Sequence, residues 1–296
     1  MISLKELPEV KGKLHENVSL SKRSFFGSAG SARFLFEPLN MDDLVFFLRN
    51  IPQGLNVIPL GAMSNVLVRS GGIDGVVIVF GEWFKKIYEN DEIFEVGCAV
   101  PCTKLSTLAM DRELSGFEFM MGIPGTIGGA LKMNAGCFGS SICDLLVECE
   151  GVTSEGEIKW FKKKDLNAEY RHTDIPDDCI ITRAWLKGTP VKYSIPKKVN
   201  ELMAQRRDSQ PLGAMTCGSV FKNPEGFKAW QLIEEAGCRG LKIGDAQVSE
   251  KHCNFIVNNG EATPEDIENL GELVIQKVLD SCGVRLEWEI VRLGTK

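Results

Sequence analysis

A mixed α/β fold in about two domains is what this sequence predicts, on three observations. Strand-like and helix-like apolar periodicities alternate along the chain, without internal repeats or low-complexity tracts. Its 296 residues, 44% of them hydrophobic, can fill full cores at about 150 residues per domain. A proline-bounded stretch at 190–196 reads as a linker, so a domain boundary is expected there.

Residues 40–50 predict a short helix, with Asn40 as its N-cap and Leu44, Phe47 and Leu48 on one face. Strands are expected at 57–59, 66–68, 76–80 and 93–97. Between the first two lies Gly61-Ala62-Met63-Ser64-Asn65, a small polar turn whose backbone and side chains can donate hydrogen bonds. Strand-like runs follow at 145–152, 158–161 and 179–186, and a helix over 197–207 ends before Pro211.

Thr263-Pro264-Glu265-Asp266 is a strong helix start: a hydroxyl N-cap, proline at the first helical position and acids in the positive first turn. Ile267, Leu270, Val274 and Val278 form the apolar stripe, and Gly283 is placed to end the helix. Residues 284–290 then alternate, with Val284, Leu286, Trp288 and Ile290 on one face and Arg285, Glu287 and Glu289 on the other. A half-buried strand is expected, and its parity does not choose between the two glutamates.

Charge and cysteine content narrow the function. A net charge of −6, from 34 basic and 40 acidic residues without a Lys/Arg block, argues against a nucleic-acid scaffold. Residues 1–20 carry no continuous apolar core, so neither a signal peptide nor an anchor is expected, and no later run approaches membrane-spanning length. Ten cysteines with no Cys-x-x-Cys pair, and three histidines, point to reduced buried thiols in a cytoplasmic protein rather than to disulfides, zinc or another metal.

Two segments concentrate unusual residue types. In Gly122-Ile123-Pro124-Gly125-Thr126-Ile127-Gly128-Gly129-Ala130, few side chains can do chemistry, so the backbone is the expected functional surface. A row of main-chain N–H groups suits a pyrophosphate, although a tight turn packed on a strand gives the same composition. Cys217-Gly218-Ser219-Val220-Phe221-Lys222-Asn223-Pro224 places a hydroxyl, an amine and an amide beside a permissive glycine. No Gly-x-Ser-x-Gly elbow surrounds Ser219, which makes it a poor nucleophile but leaves it available as a proton donor.

Taken together, the motifs resemble the MurB family of flavin-dependent UDP-N-acetylenolpyruvoylglucosamine reductases, in its shorter class, over nearly the full length. The resemblance rests on the turn at Gly61 to Asn65, on Gly116-Phe117-Glu118-Phe119 leading into the long glycine run, and on Asn134-Ala135-Gly136. It continues through Tyr170-Arg171-His172-Thr173, the Ser219 segment, Gly244-Asp245-Ala246-Gln247-Val248-Ser249 with His252, Asn254 and Phe255, and Glu289-Ile290. It implies an α+β chain: a vanillyl-alcohol-oxidase (PCMH) type FAD-binding domain over 1–190, with two subdomains divided near 70, and an α+β substrate domain over 191–283. A strand at 284–296 is expected to return to the first subdomain.

The same resemblance implies FAD and NADPH as cofactors, and UDP-N-acetylglucosamine enolpyruvate as the substrate reduced to UDP-N-acetylmuramate. Arg171 would hold the substrate carboxylate, Ser219 would protonate the enolate carbon, and Glu289 would complete the catalytic set. FAD contacts fall on Gly61, Ala62, Met63, Ser64, Asn65, Gly122, Ile123, Pro124, Gly125, Thr126, Gly128, Gly129, Ala130 and Asn134. Substrate contacts fall on Tyr170, Lys222 and Asn223, and on Arg206 or Arg207 at the end of their helix. Strand parity argues against a His252–Cys253 nucleophile pair, and the family's Val-Ser-x-x-His-x-Asn-Phe motif implies a structural His252. The family commonly has glycine at the position of Met63, whose side chain the turn tolerates if it points outward with negative φ. Two rival readings remain open at this stage: another oxidase or dehydrogenase on the FAD fold, and a non-catalytic UDP-sugar-binding protein.

Overall fold

A computed structural model describes residues 2–296. The chain divides into two compact units that interleave along the sequence. The first comprises the chain up to Glu16, Phe34–Ala62 and Gly75–Gln205; the second comprises Asn17–Arg33, Met63–Asp74 and Arg206–Lys296. Each has its own hydrophobic core.

The first unit is built on a five-stranded antiparallel sheet in the order Ile158–Lys162, Leu146–Val152, Ile180–Lys187, Ile93–Gly97 and Ile87–Asn90. A parallel pairing sets Val57–Leu60 beside Ile73–Val79, with Val57 opposite Val76. The helix Met41–Asn50 begins where the sequence places it, because Asn40 Oδ1 accepts the Asp43 N–H at 3.0 Å. Phe47 and Leu44 on its inner face are fully buried, each worth about 1.5–3 kcal/mol against exposure. Asp43 is also buried, and its carboxylate accepts the N–H groups of Lys11, Gly12 and Leu39 at 2.8–2.9 Å.

In the second unit the long helix Pro264–Cys282 carries the buried stripe Ile267, Leu270, Val274 and Val278. A capping box starts it: Thr263 Oγ1 accepts the Asp266 N–H at 3.1 Å, and the Asp266 carboxylate accepts the Thr263 N–H at 3.0 Å. Gly283 ends it at φ +69°, a left-handed cap that glycine adopts without strain. Three short antiparallel strands, Lys242–Ile243, Ala246–Val248 and Ile256–Asn258, pack in the same unit.

Two sequence expectations are corrected. The strand expected over 284–290 is an extended segment with a single antiparallel bridge, Trp288 to Phe221, and the ladder begins only at Val291–Leu293, parallel to Val66–Val68. Its alternating burial is nevertheless present, since Leu286 and Ile290 are buried and Val284 and Trp288 pack on the core. The expected linker at 190–196 contains a two-residue pairing of Thr189–Pro190 with Leu114–Ser115, and a helix, Ile195–Ser209, starts within it. Pro196 stands in that helix's first turn, where its missing N–H has no intrahelical partner to lose.

Candidate active site

The glycine run of the first unit is a short 3-10 turn, Glu118–Gly122, followed by an extended stretch and the helix Ile127–Lys132. Many of its amides are engaged internally. Ile127 N–H donates to Val100 O at 2.9 Å, Gly128 N–H to Cys98 O at 2.9 Å, Ile123 N–H to Met120 O at 3.0 Å and Ala130 N–H to Thr126 O at 2.9 Å. The run is therefore not a continuous row of ligand-facing donors. Among the described residues no backbone carbonyl accepts from Gly125 or Thr126, and Gly129 is exposed, with Thr126 Oγ1 at 3.8 Å the nearest atom outside its own helix backbone and chain neighbours to a Cβ placed there.

Close packing accounts for the other small residues. A Cβ at Gly128 would stand 2.9 Å from that of Cys98, while Gly122 and Ala130 are buried. A Cβ at Gly61 would stand 2.5 Å from Thr126 Oγ1, so the start of the first turn and the centre of the glycine run meet within this unit. Pro124 is exposed and Ala62 half-buried. These observations fit a phosphate-bearing cofactor: donors at Gly125 and Thr126, and glycine where backbone must stay accessible.

Tyr170 and Arg171 form the tip of a two-residue hairpin, closed by the N–H of Glu169 to His172 O at 3.1 Å and of His172 to Glu169 O at 3.2 Å. Arg171 takes φ +59°, its guanidinium lies 4.9 Å from the Tyr170 ring centroid, and Nη2 donates to Gly136 O at 3.1 Å. Asn134 is buried beneath the hairpin, Nδ2 donating to Glu169 O at 2.8 Å and Oδ1 accepting the Cys143 N–H at 3.3 Å. It holds the hairpin in place, a duty the sequence reading did not give it. Thr173, named above only as part of its motif, has a structural contact: its buried hydroxyl donates to Lys132 O at 3.1 Å, tying the Tyr-Arg-x-Thr motif to the end of the glycine-run helix.

The second unit brings Ser219 and Glu289 together. Ser219 follows Gly218, whose φ of +81° turns the chain into the site, and pairs as an isolated bridge with Phe255. Asn254 fixes the next two residues: its carbonyl accepts the Val220 N–H at 2.9 Å, and its buried carboxamide takes both the N–H (3.0 Å) and the carbonyl (2.8 Å) of Phe221. Val220 O in turn accepts the Glu289 N–H at 2.8 Å, and Asn65 Nδ2 donates to Glu289 O at 3.0 Å. Asn65, expected on the cofactor, here holds the backbone of Glu289. Glu289 is half-buried, whereas the Glu287 side chain is exposed and lies 3.8 Å from Lys222 Nζ.

Met63 overturns its expectation on both counts. Its φ is +56° and its side chain is 3% exposed. The turn demands the left-handed conformation that glycine provides freely, and burial of the thioether offsets the strain. Ser64 beside it is half-buried. Asn223 Oδ1 accepts the Ala229 N–H at 3.0 Å and so caps the helix Ala229–Glu235, and Arg206 is half-buried where Arg207 is exposed. His252 sits in a turn rather than a strand. Its Nδ1 accepts the Asn254 N–H at 3.3 Å and its ring lies 4.8 Å from Phe255, contacts that suit the structural role the resemblance implies, whereas the strand argument against a pair with Cys253 does not apply in a turn. Desolvation pushes the His252 pKa below its ordinary value.

The chain is similar to known proteins over nearly its whole length. Residues 32–162 match the FAD binding domain family, and residues 210–293 match the C-terminal domain of UDP-N-acetylenolpyruvoylglucosamine reductase. The UDP-N-acetylenolpyruvoylglucosamine reductase of Beijerinckia indica is 47% identical over 292 residues, spanning 97% of this chain and 93% of that protein. Its counterpart in Gluconobacter oxydans is 46% identical over 288 residues, spanning 97% and 94%. The crystal structure of the Thermus caldophilus reductase superposes with a TM-score of 0.84 at 31% identity, covering 96% of this chain and all of that one.

Proposed function

The chain belongs to the UDP-N-acetylenolpyruvoylglucosamine reductase family, and from that premise we propose how its own residues divide the reaction. The enzyme is an FAD-dependent oxidoreductase of vanillyl-alcohol-oxidase type fold that converts UDP-N-acetylglucosamine enolpyruvate to UDP-N-acetylmuramate with NADPH, a step of peptidoglycan precursor synthesis. Among the described residues no helix is long and apolar enough to cross a membrane. Action in the cytoplasm belongs to this reading, supported by ten free thiols suited to a reducing compartment.

Gly125, Thr126 and Gly129 would hold the FAD pyrophosphate, with Gly61 allowing the neighbouring turn to approach Thr126. FAD held there would supply the redox chemistry, passing a hydride drawn from NADPH to the methylene carbon of the enol ether. Arg171 holds the substrate carboxylate in its planar, permanently charged fork and draws the developing negative charge toward it. Ser219 delivers the proton to the adjacent carbon, and Glu289 orients that step. Lys222, Tyr170, and Arg206 or Arg207 complete the contacts to the UDP-sugar.

One observation carries the assignment of Ser219 and Glu289. Val220, next to Ser219, is bonded through its carbonyl to the Glu289 amide at 2.8 Å, which ties the proposed donor and acid to one rigid frame. Anaerobic stopped-flow absorbance near ~450 nm separates the two half-reactions. Ser219→Ala is expected to keep bleaching by NADPH and to slow the return of colour with the UDP-sugar about 10²–10⁴-fold. Equal slowing of both steps would remove the proton-donor role.

A further inference from the structure

The segment that carries Glu289 is gripped on both flanks by one face of the helix Pro264–Cys282. On one flank the Trp288 indole packs against Gly271, where any Cβ would collide with its ring, and Nε1–H donates to Glu272 Oε1 at 3.0 Å. On the other, Arg292 Nη1 donates to the same Glu272 oxygen at 2.6 Å and to Glu268 Oε1 at 3.0 Å. The Arg292 guanidinium also lies 4.5 Å from the Trp288 ring centroid, so the two flanks are braced against each other. Glu268 is 2% exposed and is held by Arg69 through two bonds at 2.9 Å. Residues 268, 271 and 272 share a helix face by their i, i+3 and i+4 spacing.

None of these groups has a part in the chemistry above, yet their placement bears on it. We propose that Gly271, Glu272 and Glu268 are positioning residues for Glu289: a socket for Trp288 and Arg292 that sets where the Glu289 carboxylate stands relative to Ser219. The proposal rests on the reading of Glu289 given under the proposed function. Trp288 also bridges Phe221 in the backbone, with ring centroids 5.3 Å apart, so a displaced indole moves both sides of the Ser219 and Glu289 frame. Misplacement by about 1 Å is enough to cost about 10²-fold in rate.

The test uses the flavin-loaded enzyme and compares Glu272→Ala with Glu272→Gln, which keeps an acceptor oxygen for the Trp288 and Arg292 donors. Glu272→Ala is expected to lower kcat for substrate-driven flavin reoxidation about 10- to 10²-fold while shifting substrate KM much less, and Glu272→Gln to recover most of the loss. A second readout is independent of turnover. The Trp288 indole N–H resonance, identified by its loss in Trp288→Phe, should stay protected from exchange in Glu272→Gln and lose protection in Glu272→Ala.

In a Glu289→Gln background, Glu272→Ala should slow reoxidation little further. If Glu289→Gln slows reoxidation and Glu272→Ala then adds its full effect, Glu289 keeps its role and the socket proposal fails. If Glu289→Gln alone leaves reoxidation intact, the catalytic reading of Glu289 itself fails. Unchanged kcat in Glu272→Ala, with the indole N–H exposed, would also overturn the proposal.

Discussion

Asn134 in the first unit and Asn254 in the second each place a buried carboxamide on the backbone beside a proposed site residue, with different reach. Asn254 holds Phe221 by both its N–H and its carbonyl, and takes the Val220 N–H on its own main chain. Asn134 holds the Arg171 hairpin through one carbonyl, that of Glu169, and the hairpin tip leaves Tyr170 53% exposed. The contrast fits the chemistry proposed for each segment. Proton transfer is sensitive to small changes of distance and benefits from a locked donor. A charged guanidinium fork binds a carboxylate over a wider range of approach, so its support can be lighter.

The largest expected effect comes from breaking the heavier brace. Asn254→Ala leaves a buried N–H and a buried carbonyl of Phe221 without their partner, and should lower unfolding free energy by about 2–4 kcal/mol in urea titration. Asn134→Ala removes the 2.8 Å bond to Glu169 O and only a longer, 3.3 Å bond from the Cys143 N–H, and should cost less, about 1–2 kcal/mol. Equal losses would erase the distinction between the two units.

A finer probe is Met63, whose carbonyl accepts the Cys217 thiol at 3.6 Å beside the Ser219 segment. Met63→Ala loses the buried side chain and keeps the left-handed strain, whereas Met63→Gly loses the side chain and relieves it. Glycine should therefore be the better replacement by about 1 kcal/mol, the reverse of the order in a helix or strand, as thermal midpoints would report. A larger loss with glycine than with alanine would mean that φ at this turn is not the constraint.

The smallest effect concerns His252, packed on Phe255, the bridge partner of Ser219. Desolvation, with a lesser contribution from Arg239, depresses its pKa in the folded state. The unfolded chain then binds more protons between the folded pKa and about 6.5, so this contribution is full above about pH 6.5 and is lost as pH falls through the folded value. His252→Gln should flatten that part of the stability profile; an unchanged slope would assign it to other groups.

Local signals were the most legible. The caps at Asn40, Thr263 and Gly283 are written in adjacent residues, and all three form where the sequence puts them. Periodicity marks the strand Val66–Val68 but does not name its parallel partner Val291–Leu293, more than two hundred residues away; only the family resemblance implies a C-terminal strand returning to the first subdomain. Alternation at 284–290 reported burial parity correctly and failed to report the ladder, because only position 288 finds a bridge. Ala32, Phe34 and Phe36 show the same period of two in the strand Ser31–Glu37, a signal that was present and not used.

The site was legible in composition and not in bonding. Glycine content marked the 122–130 run, but which amides remain available depends on the carbonyls of Cys98 and Val100, brought there by the fold. Asn65, Asn134 and Asn223 stood out as polar residues in the right motifs, and only the structure shows each of them also fastening backbone. The sign of φ at Met63 could not be read from a residue that so seldom adopts it.

Cys217 stands at the entrance to the Ser219 segment, buried, its thiol donating to Met63 O and Val66 O. Burial pushes its pKa up to about 12 and keeps it protonated and out of water. An alkylating reagent can reach it only when this part of the second unit opens. Its labelling rate in the native enzyme is therefore a built-in clock for how often the segment carrying Ser219, the proposed proton donor, leaves its frame.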